Sequence, residues 1–125
     1  VTETPLFTTF LERMQPDRAE RRRLQTLSGA AIRADWTTTI VHVGVGPTGK
    51  TTFQQIMQAA HPDSGHIHET ANVISPQRSL RDRPEIYVHW DVVIPIEEMD
   101  IWLARKIIAT ELEGVRAWLR AGIGG

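Results

Sequence analysis

The sequence predicts an α/β fold, and three observations carry that expectation. The segment Gly44-Val45-Gly46-Pro47-Thr48-Gly49-Lys50-Thr51 is a glycine loop placed between a β-branched run and a helically spaced run. A second β-rich run extends from Glu85 to Pro95. Both ends of the chain carry apolar residues at helical spacing.

In chain order, Leu6, Phe7, Phe10, Leu11 and Met14 recur at helical spacing and predict a short amphipathic helix over 5–15. Pro16 ends it, and Pro16-Asp17 starts a second helix from about Arg18 toward Leu27 or Ser28. Gly29 is the expected stop. Arg18, Arg21, Arg22 and Arg23 crowd this helix, as a solvated face or as a contact with phosphate or another subunit. Ala30 to Trp36 connects to the first strand, Thr37 to Val43. After the loop, Phe53, Ile56, Met57 and Ala60 mark a helix over 51–60.

His61-Pro62-Asp63-Ser64-Gly65 reads as a turn. His66 and His68 would share one face of a strand, but no third or fourth metal ligand accompanies them. Thr70 to Pro76 reads as a strand end leading into an arginine-rich loop over 77–84. In the second strong strand, Tyr87 and Trp90 are expected in the core rather than stacked on bases. From Glu97 onward, Met99, Trp102, Leu103, Ile107, Ile108, Leu112, Val115, Trp118 and Leu119 line one helical face. Gly114 is the expected break, and Gly122 to Gly125 the expected frayed end.

The composition sets outer bounds. The chain has 125 residues, 41% apolar and 23% charged, in the range of one globular domain. It has no cysteine, so disulfides and cysteine-based sites are excluded. No apolar run approaches the roughly 20 residues that span a bilayer. Val1 to Pro5 lacks the basic and apolar parts of a signal peptide, and a cytoplasmic location is expected. A net charge of −1 argues against a broad nucleic-acid-binding field.

The loop carries the chemistry. It satisfies G-x-x-x-x-G-K-[ST], the phosphate-binding pattern. Gly44, Gly46 and Gly49, with Pro47 and Thr48 between, let backbone N–H groups converge on one anion. The following helix adds about half a positive charge at its N-terminus, at Lys50, Thr51 and Thr52. Lys50 is expected at the β- and γ-phosphates of ATP, and the Thr51 hydroxyl on Mg²⁺. The expected fold is a three-layer P-loop NTPase sheet, reduced in strand number because 125 residues is short for a complete P-loop core. Residues 1–36 form a helical lead-in and 37–125 a truncated P-loop domain, together one compact unit.

Several pieces in one order resemble the ATPase domain of phage and plasmid primase-helicases, the superfamily 3 group that includes the poxvirus primase-helicase. These are Phe7-Thr8-Thr9-Phe10-Leu11, Pro16-Asp17, Leu24-Gln25 and Gly29, then the P-loop. Thr70-Ala71-Asn72-Val73-Ile74-Ser75-Pro76 resembles the family's sensor segment, Val92-Val93-Ile94-Pro95 its last strand, and Glu111 to Trp118 its closing Glu-x-x-Gly-[Ile/Val]-x-x-Trp helix. The resemblance runs from about Leu6 to Gly122. It implies ATP-binding, ring assembly and movement along DNA, with Asn72 as the sensor of the γ-phosphate.

Two departures qualify it. Only residues 61–69 separate Ala60 from Thr70, where the family holds several dozen residues and its Walker B acids. The strand expected to carry an arginine finger has none, and Arg81 or Arg83 lies just upstream. An arginine finger is worth about 10³ to 10⁵ in rate. Asp91, at the end of an apolar run, is the candidate acid, although the resemblance gives that strand another role.

Three functional readings follow. The first is an ATP-binding, helicase-like protein of phage or plasmid replication that hydrolyses weakly or not at all, with single-stranded DNA and other copies of itself as partners. The second is a non-catalytic remnant or regulatory module that inserts into a helicase ring. The third, a small P-loop kinase, lacks a lid and an acceptor site in the sequence. The reduced sheet is expected to leave an open edge or apolar surface, hence self-association or marginal stability.

Overall fold

The computed structural model describes residues 3–33, 39–44, 48–62, 85–90, 92 and 102–123. These residues form a mixed α/β arrangement, mostly helical, with a small parallel sheet of two strands among them and a helix toward each end. The elements are α1 (Pro5–Met14), α2 (Arg18–Ala31), β1 (Thr39–Val43), α3 (Lys50–Ala60), β2 (Glu85–His89), α4 (Leu103–Thr110) and α5 (Leu112–Ile123).

The first helix forms where the spacing predicts it. Phe7, Phe10, Leu11 and Met14 are its buried stripe. Pro5 occupies its first turn, where a missing N–H costs nothing. The next two amides, of Leu6 and Phe7, donate to Glu111 Oε2 and Oε1 at 3.0 and 2.9 Å. Glu111 is itself buried, so a carboxylate from the far end of the chain caps α1 and meets its dipole. Asp17 caps α2 in the same way, accepting from Ala19 N at 2.8 Å and Glu20 N at 3.4 Å.

Three expected boundaries are corrected. The second helix does not stop at Gly29 but runs through it to Ala31. Gly29 has no positive φ. Its missing side chain instead admits α5: a Cβ there would lie 2.5 Å from Leu119 O. The mirror contact explains the second correction. Gly122 is not a frayed end but is buried inside α5, where a Cβ would lie 2.2 Å from Gln25 O. Gln25 Nε2 also donates to Trp118 O at 2.9 Å, so α2 and α5 meet backbone to backbone. The third correction concerns the C-terminal helices. They part at Glu111, not at Gly114, which lies buried in the first turn of α5. Glu111 leaves helical geometry where its side chain turns to α1. Trp102, expected on the apolar face, is 52% exposed and holds the Arg105 guanidinium 4.6 Å from its ring centre.

The sheet pairs Thr39 with Glu85 through Val43 with His89. A parallel pair requires a crossover, and α3 lies on it. His42 and Val88 face the core; Val88 is 2% exposed, and the His42 ring lies 5.6 Å from that of Phe53 on α3. Tyr87, expected in the core, points to the opposite face and is exposed, as the two-residue period of a strand requires. Trp90 is fully buried, as expected. The outer edge of β2 is covered by side chains: Gln15 Nε2 donates to His89 O at 2.9 Å and Arg23 Nη2 to Tyr87 O at 3.0 Å. Arg21 Nη1 donates to Gln15 O and Pro16 O. Two of the four crowded arginines thus hold backbone carbonyls, while Arg18 and Arg22 are exposed.

One buried cluster joins all of this. It includes Phe7, Phe10, Leu11 and Met14 of α1, Leu24 of α2, Phe53 and Ile56 of α3, Trp90, Ile107 of α4 and Leu119 of α5. Phe7 meets Trp118 edge to face at 5.1 Å, and Phe53 links Trp118 to Trp90. Among the described residues, no helix is long and apolar enough to cross a membrane.

Candidate functional site: a phosphate-binding loop

The loop begins where β1 ends. Val43 is the last paired residue and Gly44 follows it. At the far end, Gly49 has φ 90 and ψ 0, a left-handed conformation that favours glycine, and it starts α3. Lys50 opens the helix, and Phe53 N donates to Gly49 O at 2.9 Å. The first turn of α3 holds no acidic residue and receives no side-chain cap. Its first amides therefore carry the partial positive charge of the helix N-terminus without a side-chain cap.

Lys50 ties the two ends together. Its Nζ donates to Gly44 O at 2.6 Å and to Thr48 Oγ1 at 3.0 Å. Thr48 is fully buried, with its hydroxyl turned to the Lys50 ammonium. Thr51 is exposed and Thr52 half-buried. Gly44, Thr48, Gly49, Lys50, Thr51 and Thr52 thus lie together at one strand-to-helix turn. Gly46, Pro47, Asn72 and Asp91 lie outside the described residues, as do His66, His68, Arg81 and Arg83. Among the described residues no group of three or more acidic or histidine side chains is placed to hold a metal.

The walls of the loop come from distant segments. A Cβ on Gly44 would lie 2.4 Å from Trp90 O and 3.1 Å from Trp90 Cβ. A Cβ on Gly49 would lie 2.8 Å from Met14 Cγ and 3.2 Å from Phe10 Cε1. Trp90 N donates to Val43 O at 2.8 Å, which extends the strand pairing to the base of the loop. Both glycines therefore have packing reasons of their own.

Beneath the loop, Trp90 Nε1 donates to His42 Nδ1 at 2.9 Å. That bond leaves the imidazole neutral, with its proton on Nε2. Burial, and then the charge of Lys50, lower the His42 pKa from 6.5 to about 4.

Sequence reasoning found the loop but not its supports. Met14 and Trp90 were legible only as core residues, and Gln15 gave no signal. Glu111 stood in the closing-helix motif, without a role attached to it. No protein-family model, curated protein or solved structure matches the chain.

Proposed function

We propose that the chain binds the polyphosphate of a nucleotide, ATP with Mg²⁺, at the turn from β1 into α3. On this reading the described α/β core is a P-loop sheet reduced in strand number. The observation that carries it is the Lys50 ammonium, held across the loop between Gly44 O and Thr48 Oγ1 at the open N-terminus of α3. An ammonium in that position can exchange two neutral acceptors for phosphate oxygens, a stronger, charge-assisted pairing. Thr51, exposed beside it, would hold Mg²⁺.

Asp91 would be the acid that orients water, since it directly follows Trp90, whose carbonyl borders Gly44. Asn72 would sense the γ-phosphate. The wider reading is a helicase-like cytoplasmic protein of phage or plasmid replication, acting with single-stranded DNA and with copies of itself or a helicase ring. It is supported by the meeting of two motif pieces far apart in sequence. The Phe7 amide binds Glu111, and the Phe7 ring packs on Trp118.

A second reading, a non-catalytic module that binds a helicase ring, is favoured by the packing roles of Gly44 and Gly49. Those roles would retain the glycines even where turnover had been lost.

Calorimetric titration with MgATP tests the proposal. Wild type is expected to bind and Lys50→Ala to bind at least about tenfold more weakly, the loss of one charge-assisted contact. Equal affinity in the two proteins would contradict the site. Phosphate release, with and without single-stranded DNA, then separates a working ATPase from a binding module.

A further inference from the structure

We infer that α1 is the positioning element of the phosphate loop, with Met14 and Gln15 as the residues that set its two roots. The inference rests on the phosphate reading above. Met14 lies against the bare Cα of Gly49: an added Cβ would come within 2.8 Å of its Cγ and 2.9 Å of its Sδ. Gly49 is the residue that turns the loop into α3. The next residue, Gln15, is buried and donates from Nε2 to His89 O at 2.9 Å. His89 is paired with Val43, the last residue before Gly44. Consecutive residues at the end of one helix therefore support both ends of the loop, Met14 directly and Gln15 through β2.

The other end of α1 is fixed as well. Its Leu6 and Phe7 amides are held by the Glu111 carboxylate. A helix of this length spans about 15 Å and resists bending. Anchored at both ends, it holds the Gly44 and Gly49 roots at a fixed separation. The loop amides must converge within about 0.5 Å to act on one anion. Neither side chain needs to touch the phosphate. Both act through the loop.

The test compares MgATP affinity and urea stability in wild type, Met14→Val, Met14→Leu and Leu119→Val. Valine keeps carbons at the γ position but removes the sulfur that meets Gly49, and leucine restores atoms at the δ position. Leu119 is an equally buried residue of α5 that packs on α2. Met14→Val is expected to bind about tenfold more weakly, because small misplacements of a site cost this much or more. Met14→Leu and Leu119→Val are expected to stay within about twofold of wild type at temperatures where all four are folded. The same ratios are expected with inorganic tripolyphosphate as the ligand, since the effect acts on phosphate contacts. Wild-type affinity in Met14→Val overturns the inference alone. Equal losses in Met14→Val and Leu119→Val overturn it too, by making general loosening the cause. If wild type and Lys50→Ala both fail to bind, the phosphate reading falls, and this inference falls with it.

Discussion

His42 shows how a single side chain couples the site to the core. It accepts from Trp90 Nε1, contacts the Phe53 ring and stands in the field of Lys50. The unfolded chain takes up its proton near the usual 6.5, whereas the folded one does so only near 4. Between those values the unfolded state holds the extra proton, so stability falls as the pH falls. The contribution is intact above about pH 6.5 and fully lost below about pH 4. It amounts to about 2 kcal/mol between about pH 7.5 and pH 5. Urea unfolding of wild type is expected to show that loss, and His42→Gln to be flatter by about the same amount. A parallel pH dependence in the two proteins would contradict the buried, neutral imidazole. Lys50 has a matching double role. Its charge adds to the burial that keeps His42 neutral, while its ammonium bridges the loop.

At the scale of elements, α1 is the piece most dependent on the rest. Its buried stripe supplies packing, and its N-terminus depends on Glu111. Glu111→Ala leaves the buried Phe7 amide and the part-buried Leu6 amide without this partner and is expected to cost about 1 to 3 kcal/mol. Glu111→Gln keeps an acceptor and is expected to cost about half as much. Chemical denaturation distinguishes the two, and an Ala variant as stable as wild type would refute the capping role. The helices themselves were legible because their apolar residues recur every three or four positions, as Phe7, Phe10, Leu11 and Met14 do. Their ends were less so. A glycine can close a helix with a positive φ or let another helix approach, and only the partner decides which. Gly29 and Gly122 serve the second purpose, each against the other's helix. The break at Glu111 was illegible for the same reason. Its cause lies at Phe7, 104 residues away in the chain.

Across the whole molecule, the part of the site that is contiguous in sequence was legible and the part assembled by folding was not. Gly44 to Thr51 carries its spacing in one stretch. Its walls come from α1 and from the residue after β2, which the parallel pairing of β1 and β2 brings to the loop. Two carbonyls of β2 on the side away from β1, those of His89 and Tyr87, are held by Gln15 and Arg23. The buried cluster runs from α1 to α5 without regard to the expected boundary near residue 36. That continuity ties the proposed nucleotide site to the C-terminal helices, through α1 and Glu111.

The central claim is that an anion binds at the start of α3. Backbone amide resonances, followed while inorganic tripolyphosphate is added, test it most directly. The account predicts that the Gly49, Lys50, Thr51 and Thr52 amides shift first and saturate together in wild type, and that the response is lost in Lys50→Ala. Shifts confined to other surfaces, or the same response in both proteins, would contradict it.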